Sequence, residues 1–277
     1  MIVPALHDAA LVADVAAANV HDGHVRLWWL GQSGFLVQWN GHHLLLDPYL
    51  SDSLTKKYAG TDKPHVRMTA RAVDPAALDF IEVVTASHAH TDHLDAETLR
   101  PLVAANPGLA IVIPEAIRGT AAERLGVPPS VPLGMVAGDV RDFGPFRIEA
   151  VPAAHETVAP ECVGYVVTCG VWTIYHSGDT VLYDGMAERV GRCGVDVALL
   201  PINGRAPERR VAGNLNGTEA AWLANALGAR TAIPCHYEMF AFNTADPSEF
   251  VDACARVGQR CDVLRCGERW STDRLAP

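Results

Sequence analysis

The chain has 277 residues, of which 49% are hydrophobic and 19% charged, a composition that fits a folded globular protein and excludes a disordered or fibrous one. Its formal net charge of −10 argues against a dedicated nucleic-acid-binding protein, because binding to phosphates needs clustered lysines and arginines. No apolar run in the sequence approaches the roughly 20 residues that a membrane span requires.

The first elements are predicted from apolar periodicity and turn residues. An Ala-rich helix is expected over 4–19, a β-hairpin over 25–39 and a strand over 43–47. Because these strands follow one another without room for a helix, we expect them to pair antiparallel. Residues 51–75 have no clear period, and we expect a long loop near a functional site, with short helices at most.

After residue 80 the chain alternates between strands and helices. Strands are predicted over 81–86, 110–113, 136–140, 146–152, 164–168, 172–176, 195–202, 231–234 and 261–265. Helices are predicted over 95–106, 115–125, 183–190, 218–227 and 247–257. Asp95, Asn216 and Asp246 are the expected N-caps. Since no linker divides this pattern, we predict one domain over 1–277.

The seven cysteines bear on the compartment of the protein. Their number is odd and no Cys-x-x-Cys pair occurs, so neither a disulfide framework nor a zinc ribbon is indicated. The N-terminus has no basic stretch of the kind that opens a secretory signal. We therefore expect a cytoplasmic protein.

The strongest motif is the run Ser-His-Ala-His-Thr-Asp-His-Leu-Asp over 87–95, between a predicted strand and a predicted helix. In an extended segment alternate side chains point the same way, so His88 and His90 can reach one metal ion. Asp92 and His93 follow at the turn and can reach a neighbouring position. Imidazole and carboxylate ligands suit zinc, manganese and iron.

Three further candidate ligands follow predicted strands. His155, Asp179 and His236 each lie just after the carboxyl end of a strand, where α/β architectures gather their sites. Taken singly, each could be a core or capping residue. Together with the first motif, they indicate a metal centre.

This order of residues resembles the metallo-β-lactamase superfamily, and the similarity runs from Trp29 to about Trp270. The resemblance implies an α/β (α+β) fold, a four-layer αβ/βα sandwich of two mixed sheets with helices outside. It also implies a first metal site of three histidines, a second site of one aspartate and two histidines, and a bridging aspartate. In this sequence the first site is His88, His90 and His155, the second is Asp92, His93 and His236, and the bridge is Asp179. Asp47 matches the aspartate that supports the metal loop in that superfamily.

Shorter motifs narrow the resemblance. Trp-Leu-Gly-Gln-Ser-Gly-Phe at 29–35, Leu-Asp-Pro at 46–48, Tyr-His-Ser-Gly-Asp-Thr at 175–180 and Pro-Cys-His-Tyr at 234–237 are similar to the branch that contains L-ascorbate-6-phosphate lactonase. The resemblance implies a small ester substrate, a lactone first of all and a sugar-phosphate lactone as the leading example. The Gly-Gln-Ser-Gly stretch at 31–34 by itself indicates only a turn.

Roles for individual residues follow from metal chemistry. A bound divalent ion makes its water more acidic, and a neighbouring carboxylate can orient that water and accept its proton. Asp92 and Asp179 are therefore the predicted catalytic residues. Arg205 could clamp an anionic group of the substrate, or be an ordinary surface arginine. The other candidate substrate contacts are Asn203, Tyr237 and His176, and the last could instead orient a metal ligand.

Three functions fit this sequence. The first is a hydrolase that uses one or two divalent ions, zinc or manganese, on a small-molecule substrate that can be anionic. The second is a metal-dependent phosphodiesterase or nuclease on the same fold. The third is an iron-dependent redox protein, although neither a flavin module nor a sulfur-handling module is visible in the sequence. The sequence is compatible with a homo-oligomer and predicts no membrane partner.

Overall fold

The computed structural model describes residues 1–210 and 212–275. The strands in these residues are β1 (Val25–Gly31), β2 (Gly34–Trp39), β3 (His42–Leu46), β4 (Val83–Thr85), β5 (Ala110–Pro114), β6 (Pro132–Met135), β7 (Val140–Phe143), β8 (Phe146–Ala154), β9 (Val158–Cys169), β10 (Trp172–His176), β11 (Val197–Pro201), β12 (Thr231–Cys235) and β13 (Arg269–Ser271). The α-helices are α1 (Asp8–Ala17), α2 (Ser53–Tyr58), α3 (Ala96–Ala105), α4 (Arg118–Leu125), α5 (Met186–Gly191), α6 (Gly217–Ala226) and α7 (Ser248–Val257).

The strands form two mixed sheets. The first has the order β13-β1-β2-β3-β4-β5-β6 and the second the order β12-β11-β10-β9-β8-β7. In each sheet one half is antiparallel and the other parallel: β1, β2 and β3 pair antiparallel, whereas β3, β4, β5 and β6 pair parallel. The predicted α/β sandwich of two mixed sheets and the antiparallel pairing of the early strands are confirmed.

A core shared by both sheets lies between them. Phe35 and Leu46 from the first sheet and Ile148 and Ile174 from the second are fully buried members of one apolar cluster. All five residues of β11 and of β12 are buried, as expected for parallel strands that are covered on both faces. This shared core supports our proposal that the chain is one domain.

Two of the three predicted helix caps are confirmed. The Asp95 carboxylate accepts from the backbone N–H of Glu97 and of Thr98, and Asn216 forms a capping box with Glu219. The prediction for Asp246 is wrong by one position. Helix α7 has Pro247 as its N-cap, and Asp246 instead accepts from the backbone N–H of Ser248.

Two predicted strands are wrong. Residues 136–139 form the turn between β6 and β7, which begins at Val140, because Gly138 takes a left-handed φ of +100° and the Asp139 carboxylate accepts from the backbone N–H of Val136. Residues 261–265 contribute only one bridge, between Cys261 and Ala232. The last strand is β13, which pairs with β1 and forms one edge of the first sheet.

The segment 51–75 is mostly irregular, as predicted, and contains the short helix α2. It is joined to other parts of the chain by isolated bridges from Thr69 to Ile2 and from Arg67 to Phe240. No helix within the described residues combines the length and apolar character that crossing a lipid bilayer would demand.

Candidate metal centre

The structure brings the seven predicted metal ligands together between the two sheets. Four come from the loop after β4, and His155, Asp179 and His236 come from loops after β8, β10 and β12. Both sheets thus contribute to one site. Their ligand atoms fall into three groups, each within 4.8 Å: His88, His90 and His155; His88, His93 and Asp179; Asp92, His93 and His236.

Asp179 lies at the centre of this cluster. Its Oδ1 is 3.3 Å from Nε2 of His93, and its Oδ2 is 3.3 Å from Nε2 of His236 and 3.8 Å from Nε2 of His155. Asp92 Oδ2 is 3.6 Å from Nε2 of His236. This arrangement suits a carboxylate between two metal positions, one near the first three histidines and the other near Asp92, His93 and His236.

Several buried atoms in the cluster fit a metal ion. Nε2 of His88, Nε2 of His93 and Oδ1 of Asp179 are buried and have no hydrogen-bond partner in the described part of the chain. Leaving polar atoms buried without a partner is costly, and coordination would satisfy all three. Nitrogen and oxygen donors of this kind suit zinc, manganese or iron.

The two carboxylates of the cluster also favour a bound cation. Burial works against ionisation, but His236 and His93 still hold the pKa of Asp179 well below its usual range. Burial likewise disfavours charge on His236, yet the adjacent carboxylates, Asp179 first, raise its pKa to about 9. The pKa of His93 is raised well above its usual value by Asp179 and Asp92 against the effect of burial. Two carboxylates in a dry site thus attract cations, whether protons or metal ions.

Asp47 supports the loop that carries four of the ligands. It follows β3, is fully buried and accepts hydrogen bonds from Thr85 Oγ1 at 3.0 Å, Ser87 N at 3.0 Å and His93 Nδ1 at 2.7 Å. The Ser87 hydroxyl also donates to this carboxylate. If His93 is neutral and gives its Nδ1 proton to Asp47, its Nε2, which lies 3.3 Å from Oδ1 of Asp179, keeps a lone pair for a metal ion. Asp47 therefore lies where the resemblance implies.

Gln32 is the contact that the sequence did not reveal. It lies in the turn between β1 and β2, is fully buried and has a left-handed φ of +51°. Its Nε2 donates to Asp92 Oδ2 at 2.7 Å and lies 3.0 Å from Nε2 of His236. The sequence showed only a turn signal there, and nothing in a single sequence links residue 32 to the ligands.

The centre lies at the base of an open cleft of about 500 Å³. The candidate ligands that line it are His90, Asp92, His155, Asp179 and His236. Segment 51–75 contributes part of the wall through Leu54, Lys57, Tyr58 and His65, and the segment after β12 contributes Phe240 and Asn243. The predicted proximity of segment 51–75 to the site is confirmed.

The four predicted substrate contacts do not line this cleft. The Arg205 guanidinium pairs with the Glu219 carboxylate at 2.6 Å and borders a second hollow, which shares His155 and Glu156 with the cleft. The buried Asn203 amide bonds to Asn243 and Asn214, which do line the cleft.

Tyr237 and His176 point into the protein interior. The Tyr237 ring stacks on Trp29 with centroids 4.3 Å apart, and its hydroxyl donates to the Leu264 carbonyl. The buried His176 ring lies with Nε2 2.9 Å from the Ser33 carbonyl oxygen. Since these polar atoms are engaged inside the protein, neither side chain is placed to contact a substrate.

Comparison with known proteins gives a consistent result. The family model of the beta-lactamase superfamily domain matches residues 42–237. A UPF0173 metal-dependent hydrolase from Opitutus terrae is 31% identical over 256 residues, covering 88% of this chain and 98% of that protein. One from Caldivirga maquilingensis is 30% identical over 225 residues, covering 81% and 87%.

A solved structure shares the fold. The metallo hydrolase Igni18 from Ignicoccus hospitalis superposes with a TM-score of 0.66 at 23% identity, covering 90% of this chain and 98% of that one. With the matched family model and the two relatives, these findings show that the chain belongs to the beta-lactamase superfamily and, within it, to the family of the UPF0173 metal-dependent hydrolases.

Proposed function

We propose that this protein is a metal-dependent hydrolase that cleaves a small ester. The observation that carries the proposal is the convergence of His88, His90, His155, Asp92, His93, Asp179 and His236 at the base of an open cleft. The relatives from Opitutus terrae and Caldivirga maquilingensis are named metal-dependent hydrolases, which supports it. Zinc or manganese, in one or two equivalents, is the proposed metal, with iron as the alternative.

The residues have separate roles in this proposal. His88, His90 and His155 would hold one ion, Asp92, His93 and His236 a second, and Asp179 would touch both. Bound metal supplies a more acidic water and polarises the scissile carbonyl. Asp179 and Asp92 would orient the attacking water and take up its proton, since their carboxylates face the cleft and the adjacent imidazoles hold them ionised as acceptors.

We propose a lactone as the ester, with a sugar-phosphate lactone as the leading example. The similarity of the motifs at 29–35, 46–48, 175–180 and 234–237 to the L-ascorbate-6-phosphate lactonase branch supports this choice. A cleft of about 500 Å³ is in the range of small-molecule sites. We also propose a cytoplasmic location, which agrees with seven cysteines that are all free thiols.

A phosphodiesterase is the second candidate. The basic side chains of Lys57, Arg124 and Arg210 line the cleft and would suit a phosphate diester. The formal charge of −10 weighs against DNA or RNA as that diester, so a small diester would be the substrate.

The test combines metal analysis with a substrate panel. The purified protein should contain divalent metal by elemental analysis, and chelation should abolish hydrolysis of lactones until metal is restored. The double variant His88→Ala/His90→Ala should lose both metal and activity while keeping its circular dichroism spectrum. Faster turnover of bis(4-nitrophenyl) phosphate than of any lactone would favour the second candidate. Full activity in the chelated protein would refute both.

A further inference from the structure

The lining of the cleft is less acidic than the chain as a whole. The chain carries −10, yet among the described residues that line the cleft three are basic, Lys57, Arg124 and Arg210. Apart from the candidate ligands, the acidic residue among them is Glu156. A basic side chain in the cleft that no carboxylate neutralises can attract an anionic ligand.

The three basic side chains differ in what they already bind. Arg124 donates to the carbonyls of Ala89 at 2.7 Å and Leu94 at 2.9 Å, so it holds the ligand loop. Arg210 pairs with the carboxylate of Asp62. Lys57 makes no ion pair with any carboxylate in the described residues, and this leaves its charge available to a ligand.

An aromatic surface lies next to Lys57. The rings of Tyr58 and His65 stack with centroids 4.2 Å apart and an interplanar angle of 17°, and His65 meets Phe240 edge-on at 5.0 Å. Nζ of Lys57 is 5.0 Å from the centre of the Tyr58 ring. All four residues line the cleft. A cation beside a group of aromatic side chains suits a ligand that combines a ring with an anionic group.

We propose that the substrate is an ester with a planar ring that packs on Tyr58 and His65 and a carboxylate or phosphate that Lys57 binds. This inference rests on the proposed function, since it concerns the same cleft, and it moves the anion contact from Arg205 to segment 51–75. Lys56 provides a matched control. It is the neighbouring residue on α2 but pairs with Glu97 at 2.7 Å and does not line the cleft.

The test measures binding of unreactive analogues to the metal-loaded protein by calorimetry, so that it does not depend on turnover. The probes are 4-methoxybenzoate, its neutral amide 4-methoxybenzamide, and phenylphosphonate. Lys57→Met should weaken both anions by about 2- to 5-fold, the size expected for an exposed charge contact, and leave the amide unchanged. The anion that binds more tightly to the native protein identifies the preferred group.

The controls separate charge from shape. Lys56→Met should bind all three probes like the native protein. Tyr58→Ala should weaken all three by about 2- to 10-fold, whereas Tyr58→Phe should not. Equal effects of Lys57→Met on anions and amide, or equal effects of Lys57→Met and Lys56→Met, would overturn the inference. Failure of the hydrolysis panel would instead refute the proposed function, and the binding measurements would still show whether Lys57 binds anions.

Gln32 contacts two of the candidate ligands, away from the part of the cleft formed by Lys57 and Tyr58. Besides its side-chain contacts with Asp92 and His236, its backbone carbonyl accepts from the backbone N–H of His236 at 2.9 Å and from the Trp29 indole N–H at 2.9 Å. His236 itself has a left-handed φ of +63°. The turn between β1 and β2 therefore holds one ligand by its backbone and another by its side chain.

We infer that Gln32 is a positioning residue for the metal position formed by Asp92, His93 and His236. Because its amide N–H is bound to Oδ2 of Asp92, the rotation of that carboxylate is fixed. No ligand of the position formed by His88, His90 and His155 touches Gln32 among the described hydrogen bonds. The effect of removing the amide should therefore be confined to one position.

The test uses Gln32→Met, which keeps the length of the side chain and removes the donor. Zinc bound at equilibrium is measured by elemental analysis across a series of zinc buffers. The variant should bind one equivalent with native affinity and the second about 10- to 100-fold more weakly. Ser33→Ala, a buried neighbour in the same turn, is the control and should bind both normally. Native affinity for both equivalents in Gln32→Met, or equal weakening of both, would overturn the inference.

Discussion

Replacing Asp47 by asparagine should disturb the metal centre through a single proton. The exchange keeps the shape of the side chain. The asparagine oxygen can take the position of Oδ1, where it still accepts from Thr85 and Ser87 N at 3.0 Å. Its NH2 group then takes the position of Oδ2 and faces Nδ1 of His93 at 2.7 Å and the Ser87 hydroxyl, which can rotate to accept instead of donating. Two donors cannot share that contact, so His93 must carry its proton on Nε2 instead.

The cost can be estimated from that contact. A proton on Nε2 of His93, the nitrogen 3.3 Å from Asp179 Oδ1, removes the lone pair that would bind the metal ion, and the metal position loses one of its nitrogen donors. Removing a partner that orients a metal-bound histidine lowers metal affinity by about 10- to 100-fold, or about 1.4–2.7 kcal/mol. Loss of the charged acceptor should also lower the free energy of unfolding by about 1.5–3 kcal/mol.

Zinc affinity is measured by competition with a chromogenic chelator, and the His93 tautomer by nitrogen-15 NMR of the imidazole. Asp95→Asn is the matched control, because Asp95 is also buried in this loop but caps α3, a role that asparagine fills well. Asp95→Asn should keep native zinc affinity. Native zinc affinity in Asp47→Asn, or an unchanged His93 tautomer, would refute the reasoning.

Three further predictions concern stability. Burial lowers the pKa of His43 from 6.5 to about 4, and Gln38 donates to its ring at 2.9 Å; the neutral ring therefore contributes stability that is complete above pH 6.5 and is lost as the pH falls through 4. The free energy of unfolding is measured with urea on metal-free protein. Between pH 7 and pH 3.5 it should fall by about 2–3 kcal/mol more in the native chain than in His43→Gln, and parallel pH profiles would contradict this. Gly178→Ala should fold poorly and release metal, because the added Cβ would lie 2.5 Å from Cβ of Ser87 at a φ of +59°; a native melting temperature with full metal content would exclude that clash. Asn216→Ala should cost about 1 kcal/mol in urea unfolding through loss of the capping box, whereas Asn216→Asp should cost less, and equal losses would point away from capping.

The metal ligands could be predicted from the sequence because their positions follow from strand ends. A histidine or aspartate just after a parallel or central strand must emerge at the same edge of its sheet, whatever its side-chain rotamer. His88, His155, Asp179 and His236 are all of this kind. The His-x-His spacing added a second constraint, since alternate residues of an extended segment share a face.

The substrate contacts could not be predicted because they depend on the direction and the partners of each side chain. Arg205 follows β11 as expected, but the Glu219 carboxylate of the α6 capping box binds it. Tyr237 comes directly after His236, which has a left-handed φ of +63°, and its ring packs on Trp29 inside the protein. Lys57 lies in a segment without periodicity, and only the folded chain brings it to the cleft.

The division of the ligands between the two sheets has a consequence for the order of events during synthesis. Four ligands leave the ribosome together in the loop after β4, but His236 follows only after more than half of the chain has been added. A nascent chain can therefore offer an ion only a partial, flexible set of donors, which any divalent metal in the Irving–Williams series could occupy. The full set exists once both sheets have packed, so the choice of metal is made by the folded protein. Ions captured early should still be exchangeable, because the last ligands close the site from the other sheet.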